Sequence, residues 1–361
     1  RLHAGTRAHE RSWTEAALAA AFGAGWSKNL RLDAGGPVGS GAVAQVHRGE
    51  LMMGDERTLV AIKVLHPSVR SGMELDLGLM RFTASLLEAL PRLKWLSLRE
   101  SVDEFGDLMQ KQLDLRLEAR NLNRFRHNFA RREGVVFPEP VQGWVSEHVL
   151  VESFESGDHI SSYLDKGDSA FRKRLARLGL SAFLDMVFTD NFMHGDLHPG
   201  NILVQQWPAS DASERTSASP RLVFLDVGIV SELGPKDRRN FVDLFYAIVR
   251  GDGREAGRLM ISRARDQRCK DPEAFQAAIE ELVDGARARD LRLGEVHVAE
   301  LLRRVLALCC IHQVKLESKF AAVVVAIAVL EGVGRSLDPD LNILQAAGPA
   351  LLKAYLQTRT A

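Results

Sequence analysis

"MHGDLHPGNILV", Met193 to Val204, sets two histidines, an aspartate and an asparagine in one short polar loop and follows them with the apolar run Ile202-Leu203-Val204. Two chemistries compete for this loop. His194, Asp196 and His198 alternate in the way metal ligands can. Asp196 and Asn201 are instead spaced like the working pair of a phosphoryl-transfer loop, in which the aspartate accepts or orients a hydroxyl proton and the asparagine holds magnesium. The rest of the chain must supply the other parts of one set or the other.

Phosphoryl transfer needs charge neutralised around the phosphates, metal ligands and a positioned nucleophile. Gly39-Ser40-Gly41-Ala42-Val43-Ala44 lies between two predicted strands, and its glycines would let backbone N–H groups approach a phosphate with no Cβ in the way. A plain hairpin turn reads equally well. "VAIK" then puts Lys63 inside an apolar strand, where it is either an edge-strand lysine facing water or a phosphate-binding lysine paired with a helix glutamate. Directly after the glycine turn, the second reading is favoured. In "QLDLRLEARN", Asp114 and Glu118 stand four apart on a predicted helix, and either could reach Lys63; Arg116 and Arg120 make a solvated charged face the alternative. "FLDVG" places Asp226 at the end of an apolar strand, 25 residues after Asn201, where a magnesium-binding carboxylate is expected. The ordered set of glycine turn, strand lysine, helix glutamate, D-x-x-x-x-N and D-x-G decides for nucleotide chemistry. The zinc reading falls, because no further His or Cys cluster nearby completes a coordination sphere.

The bulk properties agree. A chain of 361 residues is too long for one compact core, so two lobes or domains are expected. Lys+Arg and Asp+Glu balance at 47 each, which gives no electrostatic reason for a nucleic-acid partner. Cys269, Cys309 and Cys310 make no disulfide framework and read as reduced thiols. The first residue is Arg1, so a fragment whose natural N-terminus lies upstream is expected. The longest apolar run, Phe320 to Leu330, is too short to span a bilayer and reads as a buried helix, with an apolar membrane-facing surface as the alternative.

Along the chain, "SWTEAALAAAFGAGW" predicts a helix capped by Ser12 or Thr14 and ended by Gly23 and Gly25. Two strands follow, "PVGSGAVAQVHRGEL" and "TLVAIKVLH", with "MMGDER" as their turn. A helical stretch runs from Ser71 to about Phe129, broken at Pro91. "VVFPEPVQGWVSEHVLVESFESG" predicts two more strands. Beyond Asp158 the chain is mainly helical except for "NILVQQW" and "RLVFLDVG", which flank a Ser/Ala/Pro-rich surface loop. The order is that of an α+β, protein-kinase-like, two-lobed fold: an N-terminal helical extension over 1–33, a strand-rich N-lobe with a helical insert over 34–152, and a large helical C-lobe over 153–361, with a nucleotide expected in the cleft between lobes.

"GAVAQVHRGEL", "VAIKVLHP", "LDLRLEARNLNRF", "MHGDLHPGNILV", "FLDVGIV" and "LEGVGRSLDPDLNIL" resemble the UbiB/aarF-domain atypical kinases over about Asp33 to Leu344. The Gly-Ser-Gly loop is most similar to an animal mitochondrial subgroup of that family. The resemblance implies mitochondrial location and a role in ubiquinone (coenzyme Q) biosynthesis or lipid metabolism, with ATP and Mg²⁺ as cofactors. It implies Lys63 and Glu118 as the ion pair, Asp196 as the catalytic-loop aspartate, Asn201 and Asp226 as magnesium ligands, and the backbone of Val151, Glu152, Ser153 and Phe154 as the adenine hinge. Two departures stand out. The family's alanine-rich nucleotide loop carries glycines here. Its Glu-x-Asp element reads Gln112-Leu113-Asp114, and the Lys-x-Gly-Gln motif that this element meets in the family is not in this chain.

Protein phosphorylation is disfavoured, since "DVGIVSELGPKDRRNF" runs from Asp226 into a helix beginning near Pro235 without an Ala-Pro-Glu platform, and His198 stands where protein kinases carry a lysine. The expected partners are a nucleotide, a lipid or quinone precursor and a membrane surface. The alternatives are a nucleotide-binding regulatory scaffold, or a small-molecule phosphotransferase of the aminoglycoside or choline kinase type.

Overall fold

The computed structural model describes residues 8–88, 98–164, 168–207, 219–264, 266–290, 298–315, 331–341 and 343–360. The expected break at Pro91, most of the Ser/Ala/Pro-rich loop and the apolar run Phe320 to Leu330 lie outside them. The chain divides into two compact units. The first takes Arg1–His127, Phe137–Ser156 and Asp226–Ile229; the second takes Asn128–Val136, Gly157–Leu225 and Val230–Ala361.

The first unit opens with helix α1, Arg11–Phe22. Its N-cap is Glu10, and neither expected cap serves: Ser12 is already inside the helix, and the Thr14 hydroxyl is turned into a buried polar cluster with His47. Gly23 ends the helix at φ +84°, a region open to glycine. The strands β1 (Leu30–Leu32), β2 (Gly39–Ser40), β3 (Ala44–Met53) and β4 (Glu56–Leu65) follow. The turn between β3 and β4 is shorter than "MMGDER" suggested: Met53 pairs with Glu56, leaving Gly54-Asp55 as a two-residue loop with Gly54 at φ +66°.

Among the described residues, the predicted long helical stretch holds three helices, α2 (Val69–Glu88), α3 (Leu98–Lys111) and α4 (Leu115–Phe129). After β5 (Val135–Val136), which belongs to the second unit, the chain returns through β6 (Pro140–Val145) and β7 (Val149–Ser153). The antiparallel sheet of the first unit runs β1-β3-β4-β7-β6, with β2 paired to β3. Its pleat sorts β4 into two faces. Val60, Ile62 and Val64 are fully buried against Leu18, Leu51, Val149 and Val151, whereas Lys63 projects to the opposite face.

Gly49 sits where β1, β3 and β4 are tightest. A Cβ there would lie 2.5 Å from the Arg31 carbonyl oxygen and 2.7 Å from Ile62 Cδ1. Gly49→Ala is expected to destabilise the protein by about 2 kcal/mol, the usual scale of overpacking. A urea midpoint lowered at unchanged slope checks it.

The second unit is mainly helical, with more short strands than its sequence suggested. β8 (Asp158–His159), β10 (Ile202–Trp207) and β11 (Ser219–Phe224) form a sheet with β5, in the order β5-β11-β10-β8. β9 (Met193–His194) pairs with β12 (Val230–Ser231), and β13 (Asp266–Gln267) with β14 (Val314–Lys315). Pairs of two residues carry no readable alternation, so tertiary pairing alone defines them. Helix α5 (Ser169–Leu184) is capped by Asp168, whose carboxylate accepts from the N–H groups of Ala170 and Phe171. Helix α6 (Pro235–Arg250) begins with proline at its first turn, as expected. The helices α7 (Gly253–Ser262), α8 (Pro272–Asp290) and α9 (Val298–Ile311) share a core around Phe275, Ile279 and Met260, and α10 (Ile343–Thr360) packs on α5 and α6. Among the described residues no helix is long and apolar enough to cross a membrane.

Candidate active site

In the first unit, β4 carries Lys63 and α4 carries Glu118. Glu118 lies on the buried stripe of α4 with Leu122, Phe125 and Phe129, at helical spacing. Asp114 does not share that face. Helix α3 ends at Lys111, and Asp114 stands outside α4, where its Oδ1 accepts from the Arg116 N–H and Nε and its Oδ2 from Arg116 Nη2. Lys63 Nζ donates to Glu118 Oε1 at 2.8 Å and to Asp226 Oδ1 at 2.8 Å. The Lys63 and Glu118 side chains are buried, and that of Asp226 is 47% exposed.

Asp226 has φ +52°, in the left-handed region that aspartate tolerates better than most residues. The stretch after it is tied down by Asn121 of α4, whose Nδ2 donates to the Val227 carbonyl at 2.9 Å. A Cβ at Gly228 would stand 3.5 Å from Asp226 Oδ1 and 3.8 Å from Glu118 Oε2, in ordinary contact with both carboxylates.

The ionisation of this cluster follows from one cation among several carboxyls. Burial alone would depress Lys63, but Asp226 and Glu118 outweigh it and hold the ammonium above its usual value. Burial pushes Glu118 up to about 7, with Asp226 adding to the rise and Lys63 opposing it. A further carboxyl belongs here. Glu152, on β7, is buried, and its Oε2 has no hydrogen-bond partner. Burial first, then Glu118, pushes it up to about 8. Its side chain, and not only its backbone, is therefore part of the site. The available signal was a glutamate inside the apolar strand "VLVES", the same anomaly that marks Lys63.

The remaining stretch read as a hinge is internally bonded. The Ser153 N–H donates to the Glu139 carbonyl and the Phe154 N–H to the Leu59 carbonyl, while Val151 pairs with Ile62 in the sheet. In the glycine turn, Gly39 and Ser40 pair with Val46 and Gln45, and the Gly41 N–H closes on the Ala44 carbonyl at 2.9 Å. A Cβ at Gly39 would meet nothing within 4 Å, so internal packing does not require that glycine.

In the second unit, the loop after β9 is organised by its own polar groups. His194 is fully buried, its Nδ1 accepting from the Asp196 N–H at 3.1 Å and its Nε2 donating to the Leu225 carbonyl at 3.0 Å. Both ring nitrogens are thus engaged with the backbone. Asn201 Nδ2 donates to the Asp196 carbonyl at 3.1 Å, and the Leu225 N–H donates to the Asn201 carbonyl at 2.8 Å. His198 Nδ1 accepts from the Gly200 N–H, which leaves its Nε2 3.8 Å from Asp196 Oδ2. The structure brings Asp196, His198 and Asn201 into one turn. It fixes both backbone groups of Leu225, the residue before Asp226.

Asp226 and Asn201 offer hard oxygen donors, and a magnesium ion that travels with a nucleotide typically takes one or two carboxylates plus phosphate oxygens. Among the described residues there is no cluster of three or more His, Cys, Asp or Glu fit to hold a metal by itself.

An antiparallel sheet bearing a lysine, a helix glutamate beside it and a following helical unit define a protein-kinase-like α+β fold. Rv3197 of Mycobacterium tuberculosis, solved in complex with erythromycin, matches 91% of this chain and covers 80% of its own, with a TM-score of 0.65 at 19% identity, a likeness of fold alone. The family follows from the sequence matches: residues 2–260 match the ABC1 atypical kinase-like domain and residues 285–342 the UbiB helical domain, and the chain belongs to this ABC1/UbiB family. Among its relatives, the probable serine/threonine-protein kinase abkC of Dictyostelium discoideum is 37% identical over 89% of this chain and 54% of its own. The mitochondrial ABC1 family protein YPL109C of Saccharomyces cerevisiae is 36% identical over 87% of this chain and 56% of its own. The probable protein kinase UbiB of Aliivibrio salmonicida is 30% identical over the same shares. The chain spans about half the length of these curated relatives.

Proposed function

We propose that this chain binds Mg-ATP and turns it over as an atypical kinase or ATPase in mitochondria, acting in coenzyme Q or lipid metabolism and not on protein substrates. The observation that carries the reading is the Lys63 ammonium, buried and shared between Glu118 and Asp226. A lysine so held presents a fixed positive charge to phosphate oxygens, and Glu118 sets its direction. Asp226 and Asn201 would hold Mg²⁺, which when bound neutralises charge on the phosphates. Asp196, half-exposed and fixed through its backbone, would orient the attacking hydroxyl. The mitochondrial assignment rests on relatives that carry it in their names.

The test is ATP turnover by the purified chain, with and without cardiolipin-containing vesicles and a phenolic quinone precursor. Asp196→Asn is expected to lower turnover by about 100-fold or more, the usual worth of a positioned acid–base group. Wild-type protein that neither binds Mg-ATP nor hydrolyses it under any of these conditions sinks the proposal.

The departures at Gly39-Ser40-Gly41 and at Gln112 support a second reading, a nucleotide-gated scaffold. In that case Asp226→Asn would remove nucleotide-dependent partner binding; loss of turnover with partner binding intact would exclude it.

A further inference from the structure

The segment "QVH", Gln45 to His47, lies on β3 just after the glycine turn, yet neither polar residue faces the Lys63 cluster. Gln45 and His47 are buried, as is Thr14 of α1, so their polar atoms must find partners inside. They find them in the N-terminal segment. The Gln45 side chain takes both backbone groups of His9, its Oε1 accepting from the His9 N–H at 3.0 Å and its Nε2 donating to the His9 carbonyl. Gln45 Nε2 also lies 2.9 Å from His47 Nε2, which must therefore accept.

From there a line of contacts leads to the glycine turn. Thr14 Oγ1 lies 2.9 Å from His9 Nε2, His9 Nδ1 lies 2.8 Å from His66 Nδ1, and His66 Nε2 lies 3.0 Å from the Gly41 carbonyl. A carbonyl only accepts, so His66 Nε2 carries a proton. Burial first, then the neighbouring His66 and His47, push His9 down to about 4. Arg11 is the charged group that acts on His47, which burial also lowers. His66 holds the turn twice, because its backbone N–H donates to the Val43 carbonyl at 2.9 Å. Trp13 Nε1 donates to the Leu65 carbonyl beside it at 3.1 Å, so α1 is tied to the same corner.

We propose that His9 and His66 are positioning residues that latch the N-terminal segment to the glycine turn, so that the seating of this segment sets the position of Gly41 and with it the affinity for nucleotide. The "QVH" segment is the socket of the latch. The consequence for affinity rests on the reading of Gly39 to Ala44 as the nucleotide loop; the latch itself does not.

Two measurements on the whole chain separate them: amide hydrogen exchange across residues 38–44 without nucleotide, and the Kd for Mg-ATP. His66→Ala is expected to speed exchange and weaken Mg-ATP each by about tenfold, the scale of one lost hydrogen bond. His66→Gln, whose amide can still donate to a carbonyl, is expected to restore most of both. His9→Ala should act in the same direction, and adding it to His66→Ala should change nothing further, since the two work in series. Unchanged exchange over 38–44 in His66→Ala, or additive effects of His9 and His66, overturns the latch. Altered exchange in a chain that binds no Mg-ATP upholds the latch and overturns the nucleotide reading instead.

Discussion

Lys63→Met is expected to abolish Mg-ATP turnover to at least 100-fold below wild type, the scale of losing a preorganised charge at the phosphates, and to destabilise the protein in a pH-dependent way. The stability effect separates a charge role from a packing role. In the wild type, Glu118 titrates near 7 although it sits in a 2.8 Å ion pair. A carboxyl raised above its unfolded value holds more protons folded than unfolded, so its contribution is present below about 4.5 and is lost as pH rises through about 7. Lys63 limits that loss by stabilising the ionised form. With methionine in its place Glu118 has no cation, its carboxyl rises further, and the loss deepens with pH. The gap between variant and wild type is therefore small at pH 5, where Glu118 is protonated in both. It grows to about 3 kcal/mol by pH 8, the cost of a buried charge whose partner is removed. The half-exposed Asp226 is screened by solvent and adds little to the gap. Urea midpoints at pH 5, 7 and 8 check this, and a gap that stays constant with pH would mean that Lys63 contributes bulk alone.

Which residues meet here was partly legible in the sequence. Lys63 could be found because it is a charge in an apolar strand and Asp226 because it closes the stretch after one, and the ordered motifs gave each a partner type. The choice between Asp114 and Glu118 could not be made, because a helix read continuously through 112–114 puts both on one face. The break after Lys111 removes Asp114 from that face. Pairing of the very short strands was hidden for want of periodicity. The His9–His66 contact was hidden for a different reason: it joins residues 57 apart through side chains that individually look like surface histidines. "QVH" stood out as a pattern, but its partners lie on an N-terminal segment that no motif connects to it.

Glu152→Met is expected to do the opposite of Lys63→Met. The wild-type carboxyl is buried, has an oxygen without a partner and titrates near 8, well above its unfolded value. By the same linkage its contribution is lost as pH rises from about 4.5 through about 8, so the folded state carries a growing penalty over that window. An apolar side chain of similar length removes both the penalty and the unpartnered oxygen. The variant should gain on the order of 4 kcal/mol at pH 8, since each tenfold change in proton affinity is worth about 1.4 kcal/mol, and much less at pH 5. Thermal unfolding across pH 5 to 8 reads this directly, and a variant less stable than wild type at pH 8 would show that Glu152 has a partner worth more than its burial costs. The two substitutions must also couple. Glu152 is raised by Glu118 and lowered by Lys63, so removing it relieves the surplus of carboxyls that Lys63 offsets alone. The double variant should lose less stability than the two single effects summed, by about 0.5 kcal/mol or more on the scale of contacting residues. A strictly additive pair would place Glu152 outside the electrostatic cluster, and its burial would then be a matter of packing against β4 only.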